Sequence, residues 1–228
     1  MTRSAPFSFN GEAARAAEDW KRGLAEPDRQ WKPGYSAWAL AHSWMAADGF
    51  PPEVRDVLEP AFPGIRMRQG LIEHKVPMPG KGRDSQNDLF VIAEAGGERV
   101  CIAVEGKVAE SFGPTVGQWR DGSANKEQRL VGICARIGLA DPVPPSIRYQ
   151  LLHRAASPVI EALQRGAKHA VMLIHSFAVE DMNFADYAAF AALYGVGPVR
   201  KGPLVRLALV DGVTLYAAWV TGDPSFLR

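Results

Sequence analysis

The sequence predicts an α/β domain built on a mixed central β-sheet with helices packed against it. Two apolar, strand-like runs at 88–95 and 99–107 are separated by a Gly-Gly pair, which is a strong hairpin signal. Helical spacing follows at 124–137 and 147–165, and a buried strand is predicted at 170–176. Strands that alternate with helices in this way usually form one sheet covered on both faces.

The chain length and composition predict a single domain over residues 1–228. The chain has 228 residues, of which 47% are hydrophobic, and this is enough to bury a sizeable core. We divide the domain into a helical N-terminal extension at 1–50, a central core at 51–178, and a C-terminal helix and β-hairpin at 179–228.

The charge balance excludes a protein whose overall field attracts polyanions. Lysine and arginine together number 26, aspartate and glutamate number 25, and the formal net charge is +1. Nonspecific duplex binding usually depends on several clustered cations. Any contact with a nucleic acid must therefore be local.

Two features favour a cytoplasmic location and speak against a membrane partner. No apolar run approaches the roughly 20 residues that span a bilayer, and residues 1–12 lack the apolar run of a secretion signal. Cys101 and Cys134 lie in apolar runs, as expected of thiols in a reducing compartment.

The N-terminal region is predicted to pack on the sheet, and the C-terminal part is predicted to form a helix and a hairpin. Four tryptophans crowd the N-terminal region: Trp20, Trp31, Trp38 and Trp44. We expect them to pack against the sheet, and the alternative is a platform for base stacking. Near the C-terminus, Asp181 is predicted to cap a helix, and Asp211-Gly212 is predicted to turn a hairpin.

The Gly-Gly turn decides which residues face each other across the central hairpin. If the two glycines form the whole loop, Asp88 lies directly opposite Glu105, with Cα atoms about 4.5–5.5 Å apart. Lys107 then shares that face. A three-residue loop would instead place Asp88 opposite Gly106. The rest of the face is apolar: Phe90, Ile92, Cys101 and Ala103.

Two carboxylates that face each other repel, so this arrangement predicts a bound cation. Mg²⁺ is the natural partner, with Mn²⁺ as its substitute, because Mg²⁺ takes oxygen ligands and typically uses only one or two carboxylates. Asp88 and Glu105 are therefore candidate metal ligands. The ammonium of Lys107 could orient or deprotonate a water molecule and stabilise charge that builds on phosphorus.

The same residues resemble the PD-(D/E)XK, or restriction-endonuclease-like, nuclease superfamily. An Asp begins one strand, Glu-x-Lys stands near the end of the next, and a helix and another strand follow. The resemblance covers roughly residues 52–177 and implies a nuclease-like core. It also implies that Asp88 and Glu105 hold Mg²⁺ and that the Gly106 carbonyl is a further ligand. Lys107 would then assist the hydrolysis of a nucleic-acid phosphodiester.

Three short segments are also similar to an uncharacterised bacterial family within that superfamily. These are Ser-Gln-Asn-Asp at 85–88, Val-Glu-Gly-Lys at 104–107 and Tyr-Gln-Leu-Leu-His-Arg at 149–154.

Two departures from the superfamily pattern concern its acidic residues and their surroundings. Asn87 occupies the place of the usual proline before the aspartate. The acidic residue often supplied by the first core helix is not assigned, because Glu53, Glu59 and Glu73 compete for that role. A second metal ion, with Glu73 as a candidate ligand, therefore stays open.

Several other polar residues are candidates for substrate contact. On the helix at 147–165, Gln150, His153 and Arg154 are spaced to present polar groups to a phosphate, unless this is simply a solvated face. Gln118, in the loop after the second strand, either contacts substrate or belongs to a plain loop.

A histidine and a serine end the buried strand at 170–176. His175 and Ser176 would lie beside the site if the strand ends there. The more common alternative is a histidine that is hydrogen-bonded in the core.

The leading hypothesis is a Mg²⁺-dependent phosphodiesterase of nuclease type, whose partner is nucleic acid and which would gain grip as a homodimer. The alternative is a non-catalytic binding or assembly module on the same fold, which the near-neutral charge favours. A hydrolase with His153 or His175 as general base ranks last, because the sequence shows no recognisable nucleophile for it.

Overall fold

A computed structural model describes residues 6–140, 142–178, 180 and 182–228. Within these ranges the chain forms one mixed sheet with helices on both faces, which confirms the predicted fold class. The strands are β1 (Phe7–Phe9), β2 (Glu12–Ala14), β3 (Arg66–Val76), β4 (Ser85–Ala95), β5 (Glu98–Lys107), β6 (His169–Ser176), β7 (Val205–Val210) and β8 (Val213–Thr221). The α-helices are α1 (Pro27–Gln30), α2 (Ser36–Ala47), α3 (Pro52–Leu58), α4 (Val116–Trp119), α5 (Ala124–Arg136), α6 (Tyr149–Arg165) and α7 (Phe184–Ala192).

The sheet has the strand order β2-β1-β3-β4-β5-β6-β8-β7. Strands β3, β4 and β5 form an antiparallel meander, whereas β6 runs parallel to β5 and β8 runs parallel to β6. A parallel neighbour requires a crossover connection, and α4, α5 and α6 supply it between β5 and β6. Strand β5 therefore lies inside the sheet, where α6 packs across it.

The central hairpin has the predicted two-residue turn. Gly96 and Gly97 have φ values of 57° and 83°, a left-handed conformation that glycine adopts at little steric cost. Ala95 pairs directly with Glu98, on either side of these two residues. The register of a two-residue loop is confirmed, and the three-residue alternative is wrong.

Two apolar cores lie on opposite faces of the sheet. The first core contains residues of α5 and α6 together with one face of β4 and β5. The second core contains residues of α2 and α3 and the opposite face of the same strands. The apolar face predicted for the hairpin belongs to the first core: Phe90, Ile92, Cys101 and Ala103.

The N-terminal tryptophans pack against the second face of the sheet. Trp20 and Trp44 are buried in the second core, so the packing interpretation is confirmed for them and base stacking is excluded. Trp31 and Trp38 are half-buried, and their ring centroids lie 5.4 Å apart.

The N-terminal extension is not wholly helical, contrary to our prediction. Strand β1 pairs in parallel with β3 and antiparallel with β2, so this segment extends the sheet. Phe7 is buried there against Gly70, where an added Cβ would lie 2.5 Å from the ring. Strands of three residues are too short to show the alternation by which a strand is recognised in a sequence.

The C-terminal part contains the predicted helix and hairpin. Helix α7 ends at Ala192, and β7 and β8 pair around Asp211-Gly212. Asp181, the predicted cap residue, lies outside the described residues. In the ranges given above, no helix combines the length and the apolar character needed to cross a membrane.

Gly132, in the middle of α5, provides a test of the packing between α5 and the segment after β3. Alanine normally favours a helix over glycine by about 1 kcal/mol. Here an added Cβ would lie 2.6 Å from the Cβ of Pro79. We therefore expect Gly132→Ala to lower the free energy of unfolding by about 1–3 kcal/mol in urea denaturation. The control Gly197→Ala meets no atom within 4 Å and should change stability by less than about 0.5 kcal/mol.

Candidate functional site

Three neighbouring strands bring three carboxylates together at one end of the meander. Ile72 pairs with Leu89 and His74 with Asn87, so Glu73 lies opposite Asp88. The β4–β5 register continues from Leu89 and Val104 to place Glu105 on the other side of Asp88. The predicted convergence of Asp88 and Glu105 is therefore present, and Glu73 joins them.

Glu73 holds its position through an unusual backbone conformation. Its φ of 51° lies in the left-handed region, which costs a non-glycine residue on the order of 1 kcal/mol or more. Gln86 donates from Nε2 to its Oε2 at 2.6 Å. An added Cβ on Gly23 would lie 2.7 Å from the Glu73 Cγ, so a glycine is needed beside this side chain.

Asp88 is tied to the next strand through its carboxylate. The Gly106 N–H donates to Asp88 Oδ2 at 2.8 Å. This bond holds the Gly106 peptide next to the carboxylate. The role of the Gly106 carbonyl as a metal ligand stays a prediction.

Glu105 is the centre of a buried ionic network. Its Oε1 accepts from the Lys107 ammonium at 2.9 Å and from Gln150 Nε2 at 2.7 Å. Its Oε2 accepts from Arg154 Nε at 2.5 Å. Glu105 and Lys107 are each 4% exposed. Every donor in this network is a predicted site residue, two of them from the face of α6.

A second chain of hydrogen bonds leads away from Arg154. Its Nη1 donates to Ser85 Oγ at 2.8 Å, and Ser85 Oγ lies 2.8 Å from His153 Nδ1. Ser85 is buried, so this serine–histidine pair cannot offer a nucleophile to a substrate. The hydrolase hypothesis based on His153 gains no support from this contact.

A cleft of about 430 Å³, here called the Asp88 cleft, opens onto the carboxylates. Glu73, Asp88 and Arg154 form part of its lining. The N-terminal region and the segment after β5 supply other parts of the wall: Arg29, Gln30, Tyr35, Ser36 and Glu110. Glu105 and Lys107 are buried one contact behind this lining, because Arg154 connects Glu105 to the cleft.

Glu110 fixes the wall of the Asp88 cleft to the end of β5. Its Oε1 accepts from the N–H of Ser36, the first residue of α2, at 3.0 Å. Its Oε2 accepts from the Val108 N–H at 2.8 Å. One carboxylate thus satisfies a free N–H at the start of α2 and positions that helix beside the site.

A comparison with models of protein families assigns the chain to one family. The model of one family, described as a domain of unknown function (DUF6946), matches residues 13–224. The chain belongs to this family. Searches of curated proteins and of solved structures found no match.

The carboxylates of this DUF6946 domain differ in their electrostatic environments. Burial, and then the charge of Glu105, raise the pKa of Asp88 to about 7. Burial, and then the charge of Asp88, raise the pKa of Glu73 to about 8. Negative charge on these two residues is therefore poorly compensated within the protein.

Glu105 shows the opposite behaviour. Burial alone would raise its pKa, but the cationic groups of Arg154 and Lys107 lower it to about 2. Burial and the neighbouring Arg154 lower the pKa of His153 to about 3, so its imidazole is neutral. The network behind the cleft thus holds one carboxylate and two cations, whereas the two carboxylates in the cleft are compensated only in part and keep raised pKa values.

Two of the competing acidic residues lie elsewhere. The Glu53 carboxylate is 3.1 Å from His175 Nε2, and Glu59 accepts from the Gly64 N–H at 2.6 Å. His175 is fully buried and also bonds Trp44 at 3.1 Å. The interpretation of His175 as a core histidine is confirmed, so it does not act as a general base at this site.

The remaining candidates have different surroundings. Ser176 pairs with Lys107 across β5 and β6 and is buried. Gln118 is exposed, and it caps its own short helix by accepting from the Thr115 N–H at 2.9 Å. The structure thus brings Gln150 and Arg154 to the carboxylates and gives Gln118 a local structural contact.

The sequence interpretation missed the residues that complete the cleft. Gln86 and Ser85 belong to the start of β4. Both lie in the Ser-Gln-Asn-Asp segment at 85–88, and its similarity to the uncharacterised bacterial family was a signal that could have identified them. Arg29 and Glu110 gave no such signal. Arg29 reaches the cleft through tertiary packing of the N-terminal region, and Glu110 lies in the segment directly after β5.

The carboxylates do not form a ready-made cage of protein ligands. In the part of the chain that the structure describes, no group of three or more His, Cys, Asp or Glu side chains is arranged to hold a metal ion.

The raised pKa of Glu73 predicts that the stability of the protein depends on pH. The folded protein keeps a proton on Glu73 up to a pKa of about 8, whereas the unfolded chain releases it near the ordinary value of 4.5. Stability is therefore lost as pH rises through this window. Glu73→Gln does not titrate, so its melting temperature should increasingly exceed that of the wild type from about pH 5 to about pH 8.

The measurement is thermal denaturation of both proteins with a metal chelator present. The control Glu18→Gln removes one negative charge from an exposed position and should show no such trend. A constant difference between Glu73→Gln and wild type across the pH range would contradict this account.

Proposed function

We propose that this chain is a metal-dependent phosphodiesterase that cleaves nucleic acid in the Asp88 cleft. One observation carries the proposal. Two poorly compensated carboxylates, Glu73 and Asp88, line an open cleft next to a buried Glu105–Lys107 pair. A substrate phosphodiester and a divalent cation together match this distribution of charge.

The order of the elements supports the resemblance to the PD-(D/E)XK superfamily. Asp88 lies near the start of β4, and Glu105 and Lys107 lie at the end of β5. Helices α5 and α6 and the parallel strand β6 follow, as in the superfamily pattern. The proposal therefore includes a restriction-endonuclease-like core.

The donor set fits a hard divalent cation. Mg²⁺ typically uses only one or two carboxylates and fills its other positions with water and phosphate oxygens. Asp88 and Glu73 are the carboxylates in the cleft that would hold it, with Glu105 and the Gly106 carbonyl as neighbouring oxygens. When bound, Mg²⁺ or Mn²⁺ would act as a Lewis acid on the phosphate.

The remaining residues have distinct parts in the proposed hydrolysis. Water attacks phosphorus, the P–O ester bond breaks, and the leaving oxygen takes up a proton. Lys107 is buried behind the lining and assists the reaction through its positive charge beside Asp88, while Glu105 holds the ammonium in place. Arg154 lines the cleft, so its guanidinium can give up its hydrogen bond to Glu105 and donate to a phosphate oxygen of the substrate.

The proposal extends to partners and location. Gln150, His153 and Gln118 stay candidates for substrate contact, and a homodimer would double the available grip on a strand. The buried thiols of Cys101 and Cys134 support a reducing, cytoplasmic environment.

Removal of the central charges tests the proposed activity. We expect Asp88→Asn and Lys107→Met each to lower the rate of Mg²⁺-dependent cleavage at least about 100-fold, because each loses charge that the transition state requires. The assay uses labelled single-stranded DNA, duplex DNA and RNA with Mg²⁺ or Mn²⁺. The melting temperature of each variant is recorded in parallel.

The control for this experiment is Lys168→Met, which removes a surface ammonium bonded to Glu98. Its cleavage rate should equal that of the wild type. If the wild type cleaves none of the substrates, or if both site variants keep full activity, the enzymatic proposal is wrong.

The second candidate is a non-catalytic binding module on the same fold. The observation that favours it is the complete pairing of Glu105, since an ion network of this kind also serves structure alone. In that case the site would need no cation.

Metal titration separates the two candidates. For the enzyme, we expect Mn²⁺ to bind the wild type, as measured by calorimetry or by a paramagnetic signal. Asp88→Asn and Glu73→Gln should each lower the Mn²⁺ affinity at least about tenfold, because each removes an anionic oxygen ligand. Glu12→Gln, on an exposed edge strand, is the matched control. Equal Mn²⁺ affinity in all four proteins would favour the binding module.

A further inference from the structure

A second pocket lies next to α6 and differs in character from the Asp88 cleft. We call it the Arg129 pocket, and its volume is about 350 Å³. It is formed by the β3–β4 connection, the helices α4 and α5 and the start of α6. Its cationic and aromatic lining residues are Lys81, Arg83, Lys126, Arg129, Trp119 and Tyr149.

Arg129 carries a buried positive charge for which the described residues supply no anion at ion-pair distance. The residue is 6% exposed, yet its guanidinium is bonded only to neutral oxygens: Nε donates to the Tyr149 hydroxyl at 2.8 Å, and Nη2 donates to the Arg83 carbonyl. Its Nη1 has no hydrogen-bond partner among the described residues. Burial of a charged donor without a partner is unfavourable, so this geometry favours a bound anion.

A glycine-containing loop covers the Arg129 guanidinium on the side of the pocket. Gly82 has a φ of 140°, and an added Cβ there would lie 3.1 Å from Arg129 Nη1. Residues 81–84 are all exposed, so this loop stands between Nη1 and solvent. Lys81 and Arg83 flank the glycine, and within the described chain neither has a carboxylate at ion-pair distance.

The remaining charges in the pocket leave an excess of cations. Lys126 is 3.1 Å from Asp121, so that pair is balanced. Asp84 is the carboxylate found among the lining residues. The same lining contains three further cations, namely Lys81, Arg83 and Arg129.

The other wall of the pocket is aromatic. The rings of Trp119 and Tyr149 stack with centroids 3.9 Å apart and an interplanar angle of 11°. Trp119 is half-buried. The Lys126 ammonium lies 5.2 Å from the centroid of the Trp119 ring. Aromatic rings beside cations match a nucleotide, whose base would contact the rings and whose phosphate would contact the cations.

The Arg129 pocket and the Asp88 cleft meet at α6. His153 lines the pocket, and the next residue, Arg154, lines the cleft. Ser85 bonds both side chains. The buried contact of Ser85 with His153 and Arg154 is therefore a wall shared by the two depressions, and a strand would cross this wall to reach both.

We propose that the Arg129 pocket binds one nucleotide unit of a single strand, next to the site of cleavage. Arg129, Lys81 and Arg83 receive the phosphate, and the Trp119–Tyr149 stack receives the base. This binding proposal depends on the proposed nuclease function in one respect: it takes the bound strand to be the substrate that is cleaved in the Asp88 cleft.

Binding without cleavage tests this proposal. We measure the fluorescence anisotropy of a short, labelled single-stranded oligonucleotide with a metal chelator present, using the Asp88→Asn protein as background. The double variant Lys81→Gln/Arg83→Gln should raise Kd roughly tenfold at low salt and reduce the salt dependence, because two phosphate contacts are lost. Both residues are exposed, so the fold should be retained.

The matched control is Arg55→Gln/Arg206→Gln, which removes the same charge from exposed positions on α3 and β7. Its Kd should stay within about twofold of the background protein. Equal effects of the two double variants would overturn the proposal, because binding would then depend on net charge alone. Absence of oligonucleotide binding by the background protein would overturn it as well.

Variants of Trp119 test whether the base of the nucleotide contacts the Trp119–Tyr149 stack. Trp119→Leu should raise Kd several-fold with an unchanged salt dependence, whereas Trp119→Phe should keep most of the affinity. AMP should displace the oligonucleotide more effectively than inorganic phosphate does. Equal displacement by both would overturn the base contact. Loss of cleavage activity in every assay, with this binding pattern intact, would contradict only the proposed hydrolysis.

Discussion

The buried ionic network around Glu105 is the constraint on which the rest of the site depends. Removal of one partner from a buried ion pair typically costs about 3–5 kcal/mol, so Lys107 and Arg154 hold this carboxylate firmly. Their contacts fix α6 across β5. Because two cations serve three neighbouring carboxylates, Asp88 and Glu73 are compensated only in part, and their pKa values are raised.

The sequence predicts the centre of this site through the period of a β-strand. Two glycines set the hairpin register, and alternation of side chains then places Asp88, Glu105 and Lys107 on one face. Glu73 could be offered only as one of three competing acids. Its backbone leaves the extended conformation, with a φ of 51°, and no propensity or spacing reports such a bend. Arg29 reaches the cleft through tertiary packing, which no local pattern specifies.

The near-neutral composition concealed a strong separation of charge. A net charge of +1 argues against a basic binding surface, yet the structure places carboxylates in one depression and unpaired cations in the next. Electrostatic attraction at ionic strengths near 0.15 M acts over about 8 Å, so the local arrangement of charges decides what binds. Lys81 and Arg83 belong to a loop with no periodic pattern, and Arg129 is a residue of a type that is mostly exposed in proteins. Its burial under Gly82 explains why this pocket was not predicted.

Helix α6 gives the site a way to exchange partners without losing its structure. Glu105 accepts hydrogen bonds from three donors, of which Gln150 and Arg154 lie on this helix. If Arg154 turns towards a phosphate, Lys107 and Gln150 still satisfy the carboxylate and hold the helix on the strand. A site with a single donor to Glu105 would instead leave a buried charge unpaired whenever substrate bound. The threefold pairing of Glu105 is therefore compatible with substrate binding, although it also resembles a purely structural network.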